Sequence, residues 1–436
     1  MLKTLLKKSK LALAFVLALS LCFASVPAAF AAGDPIEGSE ASPAEAAITK
    51  VLQMPVGTPT PEVTFNFVAE PISVDGNTDV KPPALDTDYL TVKFDSQDTT
   101  EAVGDVVSIA KETQGDIFTG INFPHAGTYV YEITETSGAA STEHETWTYS
   151  QALYTLNVYV KNGDNGPYIF AIGAVQTTGD DGNKGSGDKV DPTPGGGDSY
   201  DYSQMIFTNT YVKTNGTDDP DNPDPTKPAQ STLSVSKTVA GEFGSDTLYF
   251  DYEMKINAPS LVADDDVPAY YPAYVVDSAT DKIVTSGDNA ASDLIAKDDS
   301  DQPYIMIATG DAGPTYFSLK HGQKLVFVNT PVGTNYDVTE AATDAYIATA
   351  VVTTNGTPGD VLGDETKAGL SVTTDTQLVG NASNSADFTN TRPDVSLTGV
   401  ILANLPFYGM IALAVAALVT FVAVKSRKRK SSGAQA

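Results

Sequence analysis

Apolar and polar residues alternate every second position along much of this chain. The pattern is plain in Val63-Thr-Phe-Asn-Phe-Val68, Leu156-Asn-Val-Tyr-Val160, Tyr249-Phe-Asp-Tyr252 and Lys324-Leu-Val-Phe-Val328. A period of two places successive side chains on opposite faces, so each segment reads as a strand with one buried face. Turn residues separate the segments, and no amphipathic helix is expected before a long apolar run near the C-terminus. The fold class expected is all-β, in the form of β-sandwich domains. The stretch 213–230 is rich in Asp and Pro and reads as a semi-extended linker. It divides the chain into domains over 40–212 and 231–392, each long enough for its own core. Residues 33–45 read as a flexible leader, and 179–197 as a Gly-rich loop within the first domain.

The same parity turns unusual residues inward. Lys50 shares a face with Ile48 and Leu52, and Lys237 with Leu233, Val235 and Val239. Glu135 sides with Tyr129, Tyr131 and Ile133, and Glu340 with Tyr336 and Val338. Asn209 goes with Phe207 and Tyr211, and Asn390 with Phe388. Glu132 and Asp337 have the opposite parity. An inward Lys, Glu and Asn, in that order and twice over, are costly to bury without a purpose. A chance lysine that snorkels to the rim explains one such residue but not six in matching order.

Burial favours the neutral forms of Lys and Glu, and a neutral amine is a nucleophile. A protonated carboxyl beside the Asn amide could donate to its carbonyl oxygen and pass a proton to the leaving nitrogen. The expected product is a Lys–Asn isopeptide bond and ammonia, formed once per domain without a cofactor. Each bond would join a domain's first strand to its last.

These motifs resemble the isopeptide-linked pilin domains of Gram-positive bacteria, the streptococcal T-antigen (major pilin) type above all. The resemblance rests on the paired Lys, Glu and Asn, with Asn209 in Phe207-Thr-Asn-Thr210 and Asn390 following Phe388-Thr389. Tyr154-Thr-Leu-Asn-Val-Tyr-Val-Lys161 fits that family's first domain; Lys237-Thr-Val-Ala-Gly241 and Phe317-Ser-Leu-Lys-His-Gly-Gln323 fit its second. The resemblance implies two tandem immunoglobulin-like, Cna-B-like sandwiches. Lys50 and Lys237 would be the amines, Asn209 and Asn390 the acceptors, and Glu135 and Glu340 the catalytic carboxyls. It also implies polymerisation through a donor lysine. The family's Tyr-Pro-Lys motif is absent, which leaves Lys189, Lys184 and Lys161 as candidates.

Both ends of the chain suggest export. Lys3, Lys7, Lys8 and Lys10 precede the apolar run 11–23, and Ala29-Phe-Ala31 offers a cleavage site, so 1–32 reads as a signal peptide. The one cysteine, Cys22, falls inside it. The mature chain would carry no disulfide, a gap that isopeptide bonds would fill. Residues 395–430 have the order of a cell-wall sorting signal. The motif Val395-Ser-Leu-Thr-Gly399 precedes an apolar span over 400–424, long enough to cross a bilayer, and then a basic tail. The sortase family's usual motif is Leu-Pro-x-Thr-Gly. Here Thr398-Gly399 is kept while Val395 and Ser396 replace Leu and Pro; Leu405-Pro-Phe-Tyr-Gly409 is a second, partial match. Cleavage is expected between Thr398 and Gly399, with a sortase as partner. Other pilin subunits or peptidoglycan would be the attachment, and the membrane would hold the chain until processing.

Charge narrows the function further. The formal net charge is −29, and nine of the 26 Lys and Arg lie in the two terminal segments. The remaining 17 face 55 acidic residues, a net −38 that repels nucleic acid and suits a surface outside the cell. His125, His144 and His321 lack ligand spacing. The acidic clusters at 218–221, 264–266 and 298–301 lack a calcium-loop periodicity, so no metal or cofactor is expected. No phosphate loop or hydrolase motif is present, and no enzyme is expected beyond the self-directed triads. Two functions remain: a pilin shaft subunit, or a monomeric wall- or membrane-anchored adhesin that binds a host or matrix ligand.

Overall fold

Strands of alternating burial build two facing pairs of sheets in the computed structural model. It describes residues 37–394 except 139–140, 143, 197–200, 215–223, 228–230 and 285–291, together with Met410. In the first pair, one sheet orders β4 (Val106–Glu112), β1 (Thr49–Pro55), β10 (Ile206–Lys213) and β6 (Glu145–Thr148). The facing sheet orders β3 (Thr91–Phe94), β2 (Val63–Val74), β5 (Gly127–Glu135), β7 (Leu153–Gly163), β8 (Gly166–Thr178) and β9 (Lys184–Val190). Ile48 and Leu52 from one side meet Phe65, Phe67, Tyr129 and Leu156 from the other in a single core. Residues 37–394, where described, are all-β apart from short 3-10 turns, as the periodicity predicts, and the layers are those of a sandwich.

The second pair repeats the plan. Its larger sheet runs β15 (Ile295–Lys297), β16 (Pro303–Ala308), β13 (Tyr270–Asp277), β18 (Gln323–Phe327), β11 (Leu233–Ala240), β24 (Ser385–Thr391), β20 (Ile347–Thr354) and β21 (Thr357–Leu362). The short β14 (Lys282–Ile283) pairs with β13. The facing sheet runs β17 (Thr315–Leu319), β12 (Phe250–Asn257), β19 (Asn335–Glu340) and β22 (Val372–Thr373), with β23 (Gln377–Leu378) also on β19. Leu233, Val235, Phe250, Tyr252, Phe317, Val338 and Phe388 lie in its core.

In each sandwich the first and last strands are neighbours and run parallel: β1 beside β10, and β11 beside β24. Parallel neighbours enter at one end and leave at the other, so the chain traverses each sandwich from end to end. β1 is flanked on both sides, and Thr49, Val51 and Gln53 on its second face are buried too. Alternation in burial is therefore lost there, although alternation in facing is not.

Two sequence expectations change. Lys184–Val190, within the expected loop, is the edge strand β9 paired with β8. Its Gly-rich, solvent-facing sequence lacks the apolar alternation that marks a half-buried strand. The expected leader is fixed from Glu37 onward. Gly38 donates its N–H to Phe170 O (2.6 Å), and Ala44 donates to Ile169 O (3.0 Å). Main-chain pairing of this kind leaves no hydrophobic signature.

The two sandwiches touch. Val332 N–H donates to Lys213 O at 2.8 Å, and Thr214 bridges to Pro331. Gly333 (φ 86°) lies so close to Pro55 that a Cβ there would meet the proline ring, which explains the glycine. The expected signal peptide over 1–32 lies outside the described residues. So does the expected span over 400–424, apart from Met410. Among the described residues no helix is long and apolar enough to cross a membrane.

Candidate functional site

Strand register builds each site the same way. Lys50 on β1 lies opposite Phe207 on β10, and Asn209 is two residues further along the same face. Lys237 on β11 lies opposite Phe388 on β24, and Asn390 is again two residues further. The carboxyl arrives from the facing sheet. Glu135 ends β5 opposite Phe67 of β2, and Glu340 ends β19 opposite Tyr252 of β12.

The three side chains meet in both sandwiches. Lys50 Nζ donates to Glu135 Oε2 at 2.7 Å, and Asn209 Nδ2 donates to Glu135 Oε1 at 2.7 Å. Lys237 Nζ donates to Glu340 Oε2 at 2.7 Å, and Asn390 Nδ2 donates to Glu340 Oε1 at 2.5 Å. One carboxyl thus spans the amine and the amide nitrogen, one oxygen to each. The Lys50 and Glu135 side chains are 0% and 1% exposed, and those of Lys237 and Glu340 are 0% each. Glu135 counts as half-buried only through its main chain.

Aromatic rings dry both sites. Lys50 Nζ lies 4.7 Å from the Phe65 ring centre, and Lys237 Nζ lies 4.0 Å from that of Phe250. Phe207 packs against Phe67 and Tyr154, while Phe388 packs edge-on to Tyr252. Loss of water dominates the electrostatics. Burial lowers both Lys50 and Lys237 to about 8, against the opposing pull of the paired carboxylate. Burial also raises Glu135 above the ordinary carboxyl range, with Lys50 acting in the other sense. Each shift favours the neutral form.

Two details differ from the sequence reading. The carboxyl contacts the amide nitrogen, the group that would leave, and not the carbonyl oxygen. In the first site that oxygen, Asn209 Oδ1, accepts the main-chain N–H of Ser150 at 2.7 Å. In the second, Asn390 Oδ1 has no hydrogen-bond partner among the described residues, and the Tyr252 hydroxyl donates to Glu340 Oε2 at 2.9 Å. Phe67 holds the register position of Tyr252 in the first site and has no hydroxyl to offer. Sequence parity could have found Phe65, Phe250 and Tyr252, since all three lie in recognisable strands. Ser150 acts through its backbone and leaves no such trace. Glu132 and Asp337 lie half-buried on the outer faces of their strands.

Residues 46–212 match the family described as the Spy0128-like isopeptide containing domain. That match spans the first sandwich. The resemblance to Gram-positive isopeptide pilins read from its Lys, Glu and Asn therefore holds. The second sandwich, residues 231–392, matches a domain of unknown function, DUF7601. No curated protein matches the chain. Among solved structures, the major pilin from Streptococcus pyogenes is 20% identical, covering 80% of this chain and 99% of its own, with a TM-score of 0.31. The T3.2 major pilin from the same species is 17% identical, covering 80% of this chain and 98% of its own, at 0.28. A pilus-presented adhesin is 13% identical over 56% of this chain and 36% of its own, at 0.22. Likenesses this low carry no argument about function.

The remaining candidates lie apart from both triads. Lys184 and Lys189 are exposed on the edge strand β9, and Lys161 is exposed on β7 with its ammonium over Phe170. Thr398 and Gly399 lie outside the described residues. His321 Nδ1 accepts the N–H of Val239, a structural role beside the second site.

Proposed function

We propose that the chain is a structural surface protein, a pilin shaft subunit, whose two sandwiches are each clamped by a Lys–Asn isopeptide bond. The observation that carries this reading is the duplicated triad: amine, carboxyl and amide in contact, dry, at matching registers. Lys50 and Lys237 act as nucleophiles on Cγ of Asn209 and Asn390. Glu135 and Glu340 take a proton from the amine through Oε2 and give one to the amide nitrogen through Oε1. Ammonia leaves, and the carboxyl is restored. No cofactor enters the balance.

Parallel terminal strands make the bonds useful to a fibre. Force entering before β1 crosses from Lys50 to Asn209 and leaves after β10, and the second sandwich repeats the path. The hydrogen-bonded core is bypassed. A sortase would cut at Thr398-Gly399 and join the threonine to Lys189, Lys184 or Lys161 of the next subunit, or to peptidoglycan, on a Gram-positive cell surface. Lys184 and Lys189 suit this role by their exposure on the edge strand β9. The test is the full chain expressed with its sortase on a Gram-positive host. A ladder of multimers that resists sodium dodecyl sulfate is expected, and the responsible Lys→Ala variant should collapse it. Monomer alone on the wall would sink the shaft reading and leave the anchored adhesin.

A further inference from the structure

Amide aminolysis develops negative charge on the amide oxygen, and the two sites treat that oxygen differently. Asn209 Oδ1 is buried, 2.7 Å from the main-chain nitrogen of Ser150, a residue between β6 and β7. The Ser150 segment is tied down through Asp180. Ser150 Oγ donates to Asp180 Oδ1, and Gln151 N–H donates to the Asp180 main-chain oxygen at 3.1 Å. Asp180 Oδ1 also accepts the N–H of Thr208 at 3.0 Å, next to Asn209 on β10. One carboxylate therefore fixes both the donor loop and the strand that carries the acceptor. Asn390 Oδ1 is equally buried and has no partner among the described residues.

Building on the isopeptide reading above, we infer that the Ser150 main-chain N–H is the oxyanion donor for the first bond and that Asp180 is its positioning residue. As Lys50 Nζ attacks Cγ, the carbonyl electron pair moves onto Oδ1 and is met by the Ser150 N–H. The pair returns to reform the carbonyl as the Cγ–Nδ2 bond breaks. The proton lost by Nζ and the proton gained by Nδ2 pass through Glu135, and ammonia departs. A preorganised donor of this kind is worth about 10²–10³ in rate. The second site forms its bond without one.

The test follows both bonds in the full chain after cell-free synthesis is stopped, with the two cross-linked peptides quantified by mass spectrometry over time. Ser150→Ala and Asp180→Ala should slow the Lys50–Asn209 bond by about tenfold or more, short of the ~10²–10³ expected for complete loss of the donor. The double variant should be no slower than Asp180→Ala alone, which has already lost the Ser150 Oγ contact. Asp180→Asn keeps the acceptor while removing the charge, and should keep the rate. The Lys237–Asn390 bond should be unmoved throughout. Trp147, the only tryptophan, packs on Tyr211 and reports folding of the first sandwich. Replacing the residue at 150 with an α-hydroxy acid removes the N–H alone, and should give the full slowing even if a side-chain variant misfolds. An unchanged first-bond rate in the ester variant, or equal slowing of both bonds, overturns the inference. If the parent chain loses no ammonia at all, the isopeptide reading itself fails.

Discussion

At the scale of single residues, burial pushes Lys50, Lys237 and Glu135 toward their neutral forms. The reactive pair shares one proton. A second proton leaves the amine charged, and loss of the last leaves the amide nitrogen without a donor. The first bond should therefore form with a bell-shaped pH profile. Its acid limb lies above the ordinary Glu value of 4.5 and its alkaline limb near the Lys50 value of about 8. Rates from the mass time course at several pH values would show it, and a flat profile would contradict it. Stability carries the same signs. In Asn209→Ala, which cannot close the bond, Lys50 binds fewer protons folded than unfolded between about 8 and 10.5. Stability should thus rise with pH across that window. Glu135, raised by folding, binds more protons folded than unfolded above 4.5, so stability should fall as pH climbs through its folded value. Urea midpoints read both slopes, and a reversal of either would contradict the assignment.

At the scale of elements, the proposed cross-link would join two parallel neighbours, β1 to β10 or β11 to β24. Lys50 and Asn209 are 159 positions apart. Treated as a cross-link closing a loop of that length, the bond would stabilise the first sandwich by about 5 kcal/mol through the unfolded chain. Asn209→Ala should then lower its melting temperature by about 10–20 °C at some 2–4 °C per kcal/mol for a domain of this size. Trp147 fluorescence would follow the transition, and an unchanged midpoint would mean that no clamp had been lost. Much of this level was legible in the sequence. Strand parity turns Lys50, Glu135 and Asn209 inward because the period of two is local. The parallel pairing of first and last strands is not local, and no run of residues announces it. β9 went unseen because a Gly-rich edge strand has little apolar alternation. The Ser150 contact went unseen because every non-proline residue carries the same N–H.

At the scale of the whole molecule, the two proposed clamps would leave a short covalent route through a long chain. Pulled from its ends, a linked chain should keep everything between Lys50 and Asn209 folded. Asn209→Ala should instead release those 159 positions, a gain of about 50 nm of contour length at ~3.4 Å per residue. Single-molecule stretching distinguishes the two, and a wild-type chain that releases the full length would contradict a covalent load path. The strongly acidic surface fits the same picture, since it keeps the sandwiches soluble and wards off polyanions. The most direct measurement is the intact mass of recombinant residues 33–392, beside Glu135→Ala and Glu340→Ala. Two bonds remove two ammonias, about 17 Da each, and each substitution should restore one. A mass equal to that of the uncorrected sequence would contradict the covalent account outright.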